Sequence, residues 1–408
     1  MGMQLRTGIV AGTSIAMTLV LPGLPVAAAP TIQATVVELT ASDGDDQDAF
    51  GSAVAVDGDT MVIAASCDES AGGNCDGSAY VFVRSAGGWV EQAKLVPSDI
   101  GAFDEFGHSV AVDGDTVVVG SWSDDVQQRE DAGSAYVFVR TGATWTEQAK
   151  LIAPDRRAFD SFGGSVSVDG DTAVVGSYNS VGNPAGSGSA YVFVRSGAAW
   201  SLQTKLVAAD RAANDFFGVA VAVSANFVLV GAQGDDVGAN RTGSAYAFQR
   251  SGTVWTQLAK LSASDAGADA NFGASVALDG RNALIGDQPF GSRQGSAYVF
   301  VRTGTTWTQQ AVLNAFDGSA GAFGFSVDIS GGVAVVGAYA DEAGGFSTAG
   351  SAYVFLRSGS TWRQLVRLTA DEPGTYEQYG QSVAVDRGTV VVGALGHGVG
   401  GTAFVYQR

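Results

Sequence analysis

Apolar residues along this chain come in short runs closed by glycine or by an Asp-Gly pair, and the runs recur in a fixed order. Residues 106–120 read Phe-Gly-His-Ser-Val-Ala-Val-Asp-Gly-Asp-Thr-Val-Val-Val-Gly, followed by Gly-Ser-Ala-Tyr-Val-Phe-Val-Arg at 133–140 and a stretch from Trp145 to Leu151. The pattern predicts four strands, over 109–112, 116–120, 134–140 and 145–152. Asp113-Gly114 between the first two is a strong short hairpin signal, and it returns at Asp57-Gly58 and Asp169-Gly170. In the third strand Ala135, Val137 and Val139 alternate with Tyr136, Phe138 and Arg140. Small side chains therefore take one face and large ones the other, so that adjacent sheets can interlock. The second strand is apolar throughout, as expected of a strand covered on both faces. The fourth, with Trp145, Glu147 and Ala149 alternating with Thr146, Gln148 and Lys150, reads as the outermost. Its recurring lysine (Lys94, Lys150, Lys205, Lys260) suits an edge that must not pair with other chains.

The opening Phe-Gly returns at Phe50, Phe106, Phe162, Phe217, Phe272 and Phe323 and as Tyr379-Gly380, a period of 51 to 56 residues in seven copies. Such a period signals a propeller or a solenoid, because one unit cannot bury its apolar faces without neighbours. A leucine stands eleven residues before the aromatic at Leu39, Leu95, Leu151, Leu206, Leu261 and Leu368, and ten before it at Leu313. Residues 31–42 thus carry the last strand of a repeat whose earlier part is missing. The missing part closes the chain, where Gly-Thr-Ala-Phe-Val-Tyr-Gln-Arg at 401–408 matches a third strand with no Trp strand after it. The expectation is all-β: a seven-bladed β-propeller of four-stranded antiparallel blades. It is one domain over residues 29–408, its ring closed by the N-terminal strand pairing with the C-terminal blade.

Phe-Gly followed by Val-Val-Val-Gly-Ser/Ala and Gly-Ser-Ala-Tyr-Val-Phe resembles the FG-GAP repeat of bacterial exported proteins and integrin α-subunit head domains, over residues 31–408. The resemblance implies a seven-bladed propeller acting as a platform for binding proteins or glycans, as in cell adhesion. Integrin-like propellers also carry calcium in Asp-x-Asp-x-Asp-Gly loops between the first two strands of some blades. Here those loops are cut to Asp113-Gly114-Asp115, Asp169-Gly170-Asp171 or Ser224-Ala225-Asn226, too short to supply the six or more oxygens calcium takes. Asp113 and Asp115 read instead as turn residues.

Composition agrees with a folded β protein: 46% hydrophobic residues, 57 glycines and 8 prolines. A net charge of −19 argues against nucleic acid or an anionic membrane as partner, since both need a basic patch. Residues 1–28 read as a secretory signal peptide: Arg6, an apolar stretch over 9–21, then small residues, with Val26 and Ala28 suited to cleavage before Ala29. That apolar core is shorter than the ~20 residues a span needs. The mature chain is expected to be secreted or at the cell surface, monomeric and without a membrane span. In an oxidising compartment Cys67 and Cys75 read as a disulfide across one short loop, worth about 2.5 kcal/mol in the chain-entropy model.

In an up-and-down blade the 1-2 and 3-4 hairpins fall on one rim and the 2-3 loops and 4-1 connections on the other. The second rim receives the long acidic loops, and loops on a rigid scaffold are where binding resides. Asp45, Asp46, Asp124, Asp125, Asp235, Asp236, Asp341 and Glu342 are the expected binding face, for a protein or glycan ligand that is cationic or bridged by calcium. An aspartate follows the strand leucine by four residues (Asp43, Asp99, Asp155, Asp210, Asp265, Asp317), and a second acid often precedes Phe by two (Asp48, Asp104, Asp160, Asp215). Turn capping is preferred to metal ligation for both sets. Asp43, Asp45 and Asp48 form the one run dense enough for calcium, and no cofactor is required. The two histidines, His108 and His397, stand in no metal-ligand or triad motif, and no catalytic residue is assigned. A secreted polysaccharide lyase or hydrolase using loop carboxylates is the alternative to a non-catalytic binding module.

Overall fold

The computed structural model describes residues 13–17, 32–69, 74–180, 184–265, 267–288, 294–316, 318 and 321–407. Every regular element among them is a β-strand, and the strands form seven antiparallel sheets. Blade 2 is typical: Ser109–Asp113, Thr116–Ser121, Ser134–Thr141 and Thr144–Leu151, paired in that order. First strands of consecutive blades pack on one another all the way round, so the disc closes about an axial channel of about 450 Å³ walled by the seven first strands.

Closure is by the N-terminal strand. The last sheet is built from Ser382–Asp386, Thr389–Ala394 and Thr402–Gln407, with Ile32–Leu39 as its fourth strand, Thr35 opposite Gln407 and Leu39 opposite Ala403. Thr13–Met17 pairs outside it, Thr13 opposite Val36. The remainder of the segment read as a signal peptide lies outside the described residues, among which no helix is long and apolar enough to cross a membrane.

The core lies between blades. Ala135, Val137 and Leu151 of blade 2 pack with Phe162, Val175, Tyr191 and Phe193 of blade 3 in one buried cluster. The small face of one third strand thus meets the large face of the next. Phe162 is fully buried, its ring edge-on to Tyr191 at 5.4 Å and to Phe193 at 6.2 Å between centroids. The glycine after it has its own reason. Gly163 sits at φ +92°, and a Cβ there would lie 2.1 Å from the Ser134 carbonyl oxygen of the preceding blade. No other residue allows that left-handed turn and that approach together.

The fourth strand departs from simple alternation. A β-bulge sets Glu147 opposite Phe138 and Ala149 opposite Val137, so Gln148 has no partner in register. Gln148 Oε1 then accepts from Trp200 Nε1 of blade 3 at 2.9 Å, while the Glu147 carboxylate accepts from Ser98 N of the preceding connection at 2.8 Å. Trp145 with Gln92, Trp255 with Gln203 and Trp362 with Gln310 repeat the bond. The outermost strands are therefore stitched to their neighbours on both sides.

Candidate functional site

The two rims differ in what their polar groups do. On the rim of the 1-2 turns, each turn aspartate accepts a backbone N–H from the next blade. Asp57 takes Gly114 (2.7 Å), Asp113 takes Gly170 (2.8 Å), Asp169 takes Ala225 (2.7 Å), Asp279 takes Gly331 (3.0 Å) and Asp386 takes Gly58 (2.8 Å). Asp113 is a turn residue as read from the sequence, but it fixes the neighbouring turn. Asp115 pairs with Arg140 at 2.6 Å. Within the channel wall Asp328 stands where other blades carry Ala55, Ala111, Ser167, Ala222, Ala277 or Ala384. It accepts from Val385 N and Ile329 N at 2.7 and 2.8 Å. Burial, together with the charges of Asp386 and Asp279, raises its pKa to about 6 despite those bonds.

On the opposite rim, each 4-1 connection hydrogen-bonds to the 2-3 loop of the preceding blade. Phe103 N donates to Asn74 O (2.9 Å) and Glu105 N to Cys75 O (3.2 Å); Phe159 N donates to Glu130 O (2.8 Å) and Ser161 N to Asp131 O (3.2 Å). The two loop sets do share one rim, as the blade topology requires. To make these bonds the chain turns left-handed twice per connection, at Phe103 and Glu105 (φ 67° and 49°), Phe159 and Ser161 (65° and 54°), Asn214 and Phe216 (64° and 55°), and Tyr376 and Gln378 (66° and 56°). Phe103, Phe159 and Tyr376 are 61%, 44% and 67% exposed. The Cys67–Cys75 disulfide ties the 2-3 loop of blade 1, whose carbonyls hold Phe103 and Glu105.

The acids expected to form a binding face divide into two groups. Asp45, Asp46, Asp125, Asp236 and Glu342 are exposed on the loops. Asp124, Asp235 and Asp341 are buried, which corrects their reading as free rim acids. Asp124 Oδ2 lies 2.7 Å from Lys150 Nζ and accepts from Tyr136 Oη at 3.0 Å, and Asp235 does the same with Lys260 (2.6 Å) and Tyr246 (2.9 Å). In blade 6 Arg367 takes the lysine's place against Asp341, at 2.8 Å. The recurring lysines are thus not guards of a bare edge but the cations of these clusters. Each also reaches the aspartate after the strand leucine: Lys94 to Asp43, Lys150 to Asp99, Lys205 to Asp155 and Lys260 to Asp210, at 2.7 to 2.8 Å. Burial opposes ionisation of Asp43, but the Lys94 ammonium and the Tyr80 hydroxyl outweigh it and hold the carboxyl below its usual range.

The second acid of each connection is the turn cap expected: Asp48 accepts from Asp45 N, Asp104 from Gly101 N and Asp160 from Arg157 N, each at 2.6 Å. Asp43, Asp45 and Asp48 therefore point to different partners. Among the described residues no group of three or more His, Cys, Asp and Glu side chains is placed to hold a metal ion. Asp317 lies outside the described residues.

The FG-GAP repeat family matches this chain seven times, over residues 34–82, 89–138, 145–193, 200–248, 255–300, 307–355 and 362–406. The chain belongs to the FG-GAP repeat family. Each matched unit begins in the outer strand of one blade and ends in the third strand of the next, the same one-strand offset that closes the ring. Comparison with curated proteins returns no match. An FG-GAP propeller fits a binding or adhesion module in general, and its disulfide is consistent with an extracellular protein.

Three blades of this FG-GAP propeller depart from the Tyr–Lys–Asp cluster, blade 3 by placing Ser180 at the position of Asp124. In blade 7 His397 occupies the position of Asp124 and Asp235, four residues past the second-strand glycine, and Phe404 replaces the tyrosine. His397 packs on the Phe404 ring at 5.2 Å, its Nδ1 3.0 Å from Glu377 Oε1, so it is a structural replacement. In blade 5 the lysine position is Val312, and Asp287, one residue past Gly286, meets the Tyr298 hydroxyl at 3.3 Å. Burial first, and the charge of Asp265, push the Asp287 pKa to about 7, and no cation stands against it among the described residues. Val312→Lys is expected to restore the cluster and raise stability at pH 8 by about 2 kcal/mol, part of the ~3–5 kcal/mol an unpaired buried charge costs. The folded state holds this proton to higher pH than the unfolded chain does. Wild-type stability should therefore fall as pH rises from about 4, where the unfolded carboxyl ionises, to about 7. The fall should vanish in Val312→Lys, which urea unfolding at pH 5 and pH 8 measures.

Proposed function

We propose that this FG-GAP protein is an exported, non-catalytic binding module, secreted or held at the cell surface, that takes a protein or glycan ligand on the rim of its 2-3 and 4-1 loops. The observation that carries this is the placement of Phe103, Phe159 and Tyr376. Each is a bulky aromatic in left-handed backbone and open to solvent on the same rim. Either feature alone is unfavourable, and together they persist where a surface has a partner. The exposed acids Asp45, Asp46, Asp125, Asp236 and Glu342 add negative potential there, which favours a ligand of opposite charge and makes capture weaken with salt.

The test is capture by glycan and protein arrays, with and without calcium. Replacing Phe103, Phe159 and Tyr376 together by Ser should lower capture by about tenfold or more, as loss of interface aromatics does. Asp115→Asn with Asp171→Asn, on the opposite rim, should leave it unchanged. Equal effects from the two sets, or capture insensitive to both, would remove the loop rim from consideration.

A further inference from the structure

Blade 2 breaks the repeat pattern at one place on the loop rim. The residue after Phe-Gly is His108 in blade 2, against Ser52, Gly164, Val219, Ala274, Phe325 or Gln381 elsewhere. Trp122 follows the second strand where other blades carry Ser66, Tyr178, Gln233, Gln288, Tyr339 or Leu395, and it is the one tryptophan outside the fourth strands. Trp122 Nε1 donates to Glu105 Oε2 at 2.7 Å, His108 Nδ1 stands 3.7 Å from the same oxygen, and the two rings lie 5.1 Å apart at 35°. His108 foremost, against burial, and then Trp122 hold the Glu105 carboxyl below its usual range, so it is an anion at neutral pH.

In the next blade Tyr178 stands at the position of Trp122. The half-buried ring of Tyr178 lies against Gly164, whose missing side chain makes the room: a Cβ there would stand 2.8 Å from Tyr178 Cε1. Burial and the nearby Glu105 charge raise the Tyr178 pKa, so its hydroxyl stays protonated. Glu105 is held in place from behind, its N–H bonded to the carbonyl of Cys75 in the disulfide-tied loop.

We infer that Trp122, His108 and Glu105 form a binding site for a neutral pyranose residue of a glycan, an assignment that rests on the binding-module reading above. A pyranose presents an apolar C–H face that an aromatic ring covers and a rim of hydroxyls that both donate and accept. This group offers an indole and an imidazole ring and a carboxylate that accepts, the mix of apolar surface and few polar groups that orients a small ligand. Charge narrows the class. The neighbouring loop is acidic: burial together with the charges of Asp125, Glu130 and Glu105 raises the Asp131 pKa. A uronic or sialic acid would add a further negative charge and is disfavoured.

The test uses cello-, manno-, galacto- and xylo-oligosaccharides as probes and polygalacturonate fragments as the acidic control, with binding read by calorimetry and by tryptophan fluorescence. A neutral probe should bind and the polygalacturonate should not. Trp122→Ala, His108→Ala and Glu105→Gln should each weaken binding by about tenfold with unchanged melting temperatures, and Trp122→Phe should retain most of it. Asp115→Asn, on the opposite rim, should leave it intact. Absence of binding to every neutral probe, preference for polygalacturonate, or full binding by both Trp122→Ala and Glu105→Gln would overturn the site. If glycan capture instead falls only in Tyr376→Ser, or only protein ligands are captured and Phe103, Phe159 and Tyr376 govern that, the site fails while the loop rim stands.

Discussion

Deleting residues 29–42 is expected to cost the protein most or all of its stability and to turn a monodisperse product into aggregate. The deletion removes Ile32–Leu39, the strand that pairs with Thr402–Gln407 and completes the last blade. It also takes Leu39 from the cluster in which blade 7 residues Ala403 and Val405 meet Phe50, Tyr80 and Trp89 of blade 1. The loss falls at the one seam where the ends of the chain meet, and it leaves the backbone groups of Thr402–Gln407 as an open pairing edge. A domain's net stability is only about 5–15 kcal/mol, so losing one strand and half a blade interface is on the scale of the whole. Size-exclusion chromatography and thermal melting measure the outcome. A deleted protein that stays monomeric with an unchanged melting temperature would show that the ring does not need this strand.

Phe162→Ala should cost about 3–5 kcal/mol, the range for truncating a large buried aromatic. The ring has no solvent exposure and two edge-on aromatic neighbours, and it sits where blades 2 and 3 meet, so neither blade can collapse into the space alone. Phe159→Ala, three residues earlier on the exposed left-handed turn, is the internal control and should change stability by well under about 1 kcal/mol. Urea midpoints for the two variants compare them directly. A cost below about 1 kcal/mol for Phe162→Ala would mean that the repeat phenylalanine is not what locks adjacent blades.

The contrast between those two phenylalanines marks how far the sequence alone reaches. Blade number, strand order, ring closure and the small-on-large interlocking of third strands were all legible in it. Each is written in local periodicity, and seven copies reinforce the same signal at Phe50, Phe162 or Tyr379. The capping role of Asp48 and Asp104 was legible for the same reason, because cap and N–H lie three residues apart.

What only the tertiary structure decided involves partners distant in the chain. Asp124 and Asp125 look alike as neighbours in an acidic loop, yet one is buried against Lys150 and Tyr136 and the other faces water. The difference arises where that loop folds over the outer strand. Asp113 finds its N–H donor 57 residues away, in the next blade. Trp122 reaches Glu105, 17 residues earlier, beside His108, where the connection into blade 2 turns left-handed to bond with the 2-3 loop of blade 1. Local pattern determines which strands form and which faces they bury. The burial of a charge and the meeting of side chains on a rim depend on how blades pack, and packing is set by residues one repeat away.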